Sequence, residues 1–276
     1  MRFVSFNDGG RHGFGVKVPG GIHDLGARTG SPDLKSWLAG GPAEIDVTGA
    51  DPDIADGAFD YLPVIPNPGK ILCVGLNYET HRKETGRPEA AHPAIFTRFA
   101  DSLAGHGQPL VKPDFSDAFD YEGELALVIG QPCFRVTEAE ALAHVAGYAC
   151  FNDATLRDWQ RHTHQFTPGK NFPRTGGFGP ELVTPDEAGE LADQPIETRV
   201  NGVTVQSARL GQMIFGIAEV IAYVSAFTPL SPGDVIATGT PGGVGFKREP
   251  QLFLKPGDRV EVSIGGIGTL ENSIGA

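Results

Sequence analysis

Asp120-Tyr121-Glu122-Gly123-Glu124-Leu125-Ala126-Leu127-Val128-Ile129-Gly130 is the stretch around which the chain is organised. Its apolar half, residues 125–129, reads as a buried strand, with Val and Ile suited to a pleated surface and Gly130 closing the run. On a strand, residues i and i+2 share a face. The carboxylates of Glu122 and Glu124 therefore point the same way, roughly 7 Å apart along the backbone. Two like charges at the end of a strand heading for the core repel and lose solvation unless a cation sits between them. The same pattern also fits a strand end with both glutamates in water, and the residues downstream decide between the two.

The 276 residues suffice for one large domain or two. A hydrophobic content of 40% and a charged content of 20% describe an ordinary soluble protein. The formal net charge of −12 opposes phosphate backbones and anionic membranes, which argues against nucleic acid and membrane partners. Cys73, Cys133 and Cys150 form no C-x-x-C pair and leave one thiol unmatched in any disulfide scheme. The N-terminus lacks the apolar core of a signal peptide, and the most apolar long segment, 213–224, is too short to span a bilayer and carries Glu219. The expectation is a cytoplasmic protein with reduced thiols. With 38 glycines and 22 prolines, the chain has the many turns of a β-rich fold.

Residues 1–66 read as a small β-rich domain and 67–276 as the catalytic one, with Pro63, Pro66 and Pro68 marking a stiff linker. Strands are expected at 2–6 and 14–18, then a short helix with Ser31 as its N-cap and Gly40 past its end. Residues 70–75 form a buried strand that delivers the chain to Asn77, Tyr78, His81 and Glu84. His81 and Glu84 are three apart, within reach on one helix face. A carboxylate there fixes the imidazole tautomer and raises its basicity, as a general base requires, although a solvated helix also carries such pairs. Gly86 and Pro88 follow, so residues 77–89 are expected to form a mobile lid. Thr137 and Glu140 form a capping box, residues 147–151 a strand, and Asp153 sits where that strand ends. Apolar positions Met213, Ile217, Val220, Ile221 and Val224 recur at helical spacing. Residues 238–245 are glycine-rich and suit backbone approach to an anion, yet lack the lysine of a P-loop. No G-x-S-x-G elbow is present, so a serine nucleophile is disfavoured.

As an ordered set these pieces resemble one family. Gly75-x-Asn77-Tyr78-x-x-His81-x-x-Glu84 comes first, followed by Tyr121-Glu122-x-Glu124-Leu125. Asn152-Asp153-x-Thr155-x-Arg157-Asp158-x-Gln160, Gly169-Lys170, and Gly239-Thr240-Pro241-x-Gly243-Val244-Gly245 complete it. The chain resembles the fumarylacetoacetate hydrolase family over about residues 70–274. That resemblance implies a mixed α/β, β-rich roll with a small N-terminal β domain, acting as a homodimer. It also implies Mg²⁺, or Mn²⁺ or Ca²⁺, on Glu122, Glu124 and Asp153; such all-oxygen ligands suit these hard ions rather than Zn²⁺. By the same resemblance His81 with Glu84 activates water, and Lys170, Arg157 and Gln160 stabilise an oxyanion. Tyr78, Gly239, Thr240 and Arg98 would surround a 2-oxo acid substrate. The implied reaction is hydrolysis of a carbon–carbon bond in a 2,4-dioxo acid of acylpyruvate type. Decarboxylation or isomerisation of a 2-oxo diacid at the same metal is the alternative, and a non-catalytic metabolite-binding protein a more distant one. Two departures bear on the substrate: Arg98 stands where many members have lysine, and the segment 171–180 keeps the family's length but not its interior Asp, Phe and Pro.

Overall fold

The computed structural model describes residues 1–41, 45 and 51–276. The apolar runs become strands Ile71–Gly75, Gly123–Ile129, Val145–Asn152, Val235–Ala237 and Arg259–Ile264. Gly123–Ile129 lies inside a large mixed sheet, antiparallel to Val145–Asn152 on one side and to Val235–Ala237 on the other. Beyond these come Gly176–Val183 at one flank and Ile71–Gly75, then Ala94–Arg98, at the other. A second sheet among the described residues has five strands, including Pro195–Val200, Arg259–Ile264 and Gly268–Gly275. The fold is thus β-rich with mixed sheets and short helices.

Residues of alternate parity on Gly123–Ile129 enter different cores. Leu125, Leu127 and Ile129 pack with Ile196, Val262, Ile264 and Leu270 of the second sheet and with Val220, Ile221 and Val224 of helix Ile217–Phe227. Ala126 and Val128 pack on the other face with Phe3, Trp37, Cys73 and Phe151. Burial on both faces is why the run is continuously apolar rather than alternating. Each of the Leu, Ile and Val side chains among them contributes roughly 1.5–3 kcal/mol by leaving water.

The N-terminal residues join this sheet. Strand Arg2–Asp8 pairs antiparallel with Gly176–Val183, placing Arg2 opposite Val183 and Phe3 opposite Leu182. Phe3 and Trp37 also share a core with Ala126 and Val128. The proline-rich segment before residue 70 is therefore a connection over a continuous sheet. The short helix is Leu34–Ala39, and its N-cap is Asp33 rather than Ser31: the Asp33 carboxylate accepts from Ser36 N at 2.7 Å. The capping box of Thr137 and Glu140 forms as read, opening helix Glu138–Ala141. Among the described residues no helix is long and apolar enough to cross a membrane.

Gly123 sets how closely the two sheets approach beside the paired glutamates. A β-carbon there would lie 2.0 Å from Thr198 Oγ1 and 3.3 Å from Val262 Cγ1. Gly123→Ala is therefore expected to cost about 1–3 kcal/mol by overpacking. Thermal denaturation should show a lowered Tm, most of it recovered in the double variant with Thr198→Ala. An unchanged Tm in Gly123→Ala would contradict the sheet contact.

Candidate metal and substrate site

Two neighbouring strands bring the acidic residues together. Glu122 and Glu124 flank the start of Gly123–Ile129, and Asp153 directly follows Val145–Asn152, with Gly123 opposite Asn152. Asp153 N donates to the Glu122 carbonyl at 2.8 Å, and Glu122 N donates to Asn152 Oδ1 at 3.1 Å. The register leaves Glu122, Glu124 and Asp153 buried, each offering an oxygen within 4.8 Å of the others.

The three carboxylates are served unequally. Lys170 Nζ lies 2.5 Å from Glu122 Oε2 and 2.5 Å from Asp153 Oδ2, and donates to the Asp153 carbonyl at 3.1 Å. Arg157 reaches Glu122 Oε1 at 2.6 Å, and Arg98 reaches Asp153 Oδ1 at 2.7 Å. Burial pushes the Glu122 carboxyl up, but the Arg157 and Lys170 cations outweigh this and hold it at about 2. Glu124 receives only the N–H of Gly239 at 2.8 Å. Burial, then Asp153 and Glu122 beside it, push its carboxyl well above the usual range. Among the described residues a buried carboxylate thus stands without an ion pair of its own, next to two others. The donor set fits a divalent ion with hard oxygen ligands, which neutralises that excess of negative charge.

The supports of the trio are built from several chain segments. Asp120 accepts from Arg157 Nε at 2.8 Å, from Gly245 N at 2.7 Å and from Phe246 N at 3.1 Å. It thereby ties the glycine-rich segment to the acidic strand. Gly239 holds φ +99°, and a β-carbon there would meet Asn77 Cβ at 2.7 Å and Val74 O at 2.9 Å. Only glycine brings its N–H to Glu124 without strain. Asn77 pins the corner before helix Glu79–Thr85, donating to the carbonyls of Phe215 and Thr238 at 3.0 and 2.7 Å.

His81 and Glu84 meet on that helix as their spacing requires, with Nδ1 2.7 Å from Glu84 Oε1. An ionised carboxylate only accepts, so Nδ1 carries the proton and, in the neutral ring, Nε2 is the atom with the lone pair. Glu84 Oε2 is held by Gly243 N at 2.9 Å, and Thr80 Oγ1 by Gly242 N at 3.0 Å. These bonds fasten the segment expected to form a lid to the glycine-rich segment.

A cavity of about 560 Å³ opens over Glu122 and Glu124, and His81, Arg157, Gln160, Lys170 and Thr240 line it too. Tyr78, Gly239 and Arg98, read as substrate contacts, are not among its lining residues. Arg98 is buried and also donates to the Ala154 carbonyl and to Thr175 Oγ1, so it positions Asp153 instead. Tyr78 is buried, and its hydroxyl has no hydrogen-bond partner among the described residues. His162 and His164 line the cavity from an exposed loop, away from the acidic trio. Arg161, Phe246 and Lys247 also line it and carry no signal in a reading of local motifs.

Comparison with known proteins agrees with this architecture. Residues 70–275 match the model of the fumarylacetoacetate hydrolase C-terminal domain. The human mitochondrial oxaloacetate tautomerase FAHD2A is 42% identical over 78% of this chain and 69% of its own length. The solved structure of a fumarylacetoacetate hydrolase from the psychrophile Exiguobacterium antarcticum is 37% identical with a TM-score of 0.88, covering 100% of this chain and 99% of that one. A maleylpyruvate hydrolase from Sphingobium sp. SYK-6, solved with manganese(II) and pyruvate, is 26% identical with a TM-score of 0.80, covering 100% and 99%. A buried acidic trio, its basic supports and a family match spanning most of the sequence lead to one conclusion: the chain belongs to the fumarylacetoacetate hydrolase family.

Proposed function

We propose that the protein moves a proton at the carbon next to the keto group of a 2-oxo acid, interconverting its keto and enol forms. Oxaloacetate is the first substrate to test, because curated relatives such as the human protein bear the name oxaloacetate tautomerase. The observation that carries the reading is His81, bonded to Glu84, in the wall of the cavity that Glu122 and Glu124 also line. When bound by Glu122, Glu124 and Asp153, a divalent ion such as Mg²⁺ or Mn²⁺ supplies a Lewis acid that polarises the keto group. His81 Nε2 takes the proton, while Glu84 fixes the tautomer and stabilises the imidazolium that results. The Gly243 N–H keeps Glu84 aimed at the ring. Val74, Leu76, Phe96 and Phe166 form an apolar wall that limits water around the reacting carbon.

Hydrolysis of an acylpyruvate-type bond is the second reading, favoured by the same His81–Glu84 pair, which would also activate water. It further needs a free cation for the distal oxyanion. An ammonium has three donors, and Lys170 spends them on Glu122 Oε2, Asp153 Oδ2 and the Asp153 carbonyl. Arg157 is likewise engaged by Asp120, Glu122 and Gln160. Proton transfer needs no such cation, whereas cleavage would have to draw it from a cation elsewhere in the cavity wall, such as Arg161 or Lys247. The test is to follow enol–keto conversion of oxaloacetate with and without added Mn²⁺. Metal-dependent acceleration by the wild-type protein is expected, and its absence would remove the reading.

A further inference from the structure

We infer that Arg161 and Lys247, set around the ring of Phe246 in the cavity wall, recognise the second carboxylate of a 2-oxo diacid. The inference rests on the reading that the 2-oxo carboxylate end sits at Glu122, Glu124 and Asp153. The Arg161 guanidinium carbon lies 4.6 Å from the Phe246 ring centre, and Lys247 Nζ 5.4 Å from it. Arg157 sits 4.4 Å from the same ring. One aromatic plate therefore joins the cation that holds Glu122 to two cations farther along the wall.

Those two cations combine contact with the Phe246 ring and the absence of a carboxylate partner; among the described residues Arg87, also in the cavity wall, has no carboxylate partner but does not meet that ring. Arg2, Arg11, Arg28, Arg82, Arg98, Arg157, Arg199 and Arg259 all pair with carboxylates. Among the described residues, no carboxylate lies within ion-pair distance of Arg161 or Lys247, in a chain with 34 acidic residues against 22 basic ones. Attraction to a ring face orients a guanidinium without consuming its in-plane donors. Both groups remain available to an anion entering the cavity that they line.

The plate is also held in place. Asp120 accepts from Phe246 N and Gly245 N on one side and from Arg157 on the other. The spacing between the acidic trio and the Phe246 cations is thereby fixed by one buried carboxylate rather than by flexible side chains alone. Preorganised cations favour a ligand that carries carboxylates at both ends, since neither end needs the site to rearrange. A 2-oxo monoacid would fill the inner end and leave Arg161 and Lys247 unpaired.

The test is calorimetry on the Mn²⁺-loaded protein with two ligands. One is difluoro-oxaloacetate, a 2-oxo diacid with no proton to move between its carbonyl groups. The other is oxalate, which has no distal carboxylate. In the double variant Arg161→Gln/Lys247→Gln, the diacid should bind about 10–100-fold more weakly, as expected for losing charge-assisted hydrogen bonds. Oxalate affinity should stay within about twofold on the same grounds, which also reports an intact fold and metal site. Arg161→Lys should retain more of the diacid affinity than Arg161→Gln. Unchanged diacid affinity in the double variant, or equal weakening of both ligands, would overturn the inference. Because the diacid probe cannot tautomerise, selective loss of its binding upholds the inference even if the protein fails to turn over oxaloacetate.

Discussion

His81→Ala is expected to slow enol–keto conversion of oxaloacetate by on the order of 10²–10⁴, the usual worth of a positioned general base. The variant removes the only imidazole of the pair while leaving the acidic trio untouched, so divalent-ion affinity should stay close to wild type. Glu84→Gln should do less damage. The amide oxygen can still accept from His81 Nδ1, whereas the negative charge that stabilises the imidazolium is gone. Stopped-flow absorbance of the enol, read beside metal calorimetry on each variant, separates these effects. Full activity in His81→Ala would move the base elsewhere and with it the reaction assignment.

The second large effect is expected at Glu124. Glu124→Gln removes one of three charged ligands, and Mg²⁺ or Mn²⁺ affinity should fall by on the order of 10² or more, since losing even a supporting contact costs 10–100-fold. The metal-free protein should not lose stability. Among the described residues Glu124 has Gly239 N as its hydrogen-bond partner and no cation within ion-pair distance, beside Glu122 and Asp153. The amide keeps an oxygen for Gly239 and ends the like-charge repulsion, so the metal-free Tm should rise or hold. Differential scanning calorimetry with and without ion checks both halves. Undiminished metal affinity in this variant would rule out the ligand set.

Much of this was legible in the sequence because it depends on local patterns. The run at residues 125–129, the spacing of Glu122 and Glu124, and the three-residue separation of His81 and Glu84 each fix a geometry within one element. Asp153 was legible from its place at a strand end. What escaped depends on pairing between distant segments. Nothing in residues 2–8 says that they hydrogen-bond to Gly176–Val183, so the N-terminal part reads as separate although the sheet runs through it. Met213 has helical spacing with Ile217, yet helix Ile217–Phe227 starts later. Asn77 holds Phe215 by its backbone and interrupts the pattern there.

Side-chain roles were harder still. Arg98 looks like a substrate contact from its place near the motifs, but burial against Asp153 makes it a support. Lys170, read as an oxyanion donor, makes three hydrogen bonds to Glu122 and Asp153 that no local motif reveals. Asp120 opens the decisive stretch, and nothing local reveals that it binds Arg157 and the glycine-rich segment together. Arg161, Phe246 and Lys247 come from two segments far apart in the chain, so no motif announces the plate they form.

The central claim is that the protein moves a proton rather than breaking a carbon–carbon bond. The direct measurement compares both reactions on one Mn²⁺-loaded preparation. Enol–keto conversion of oxaloacetate is followed by absorbance, and cleavage of an acylpyruvate by pyruvate release. Conversion of oxaloacetate exceeding cleavage of every acylpyruvate tried, and collapsing in His81→Ala, is the predicted result. Faster release of pyruvate from an acylpyruvate than tautomerisation of oxaloacetate would contradict it.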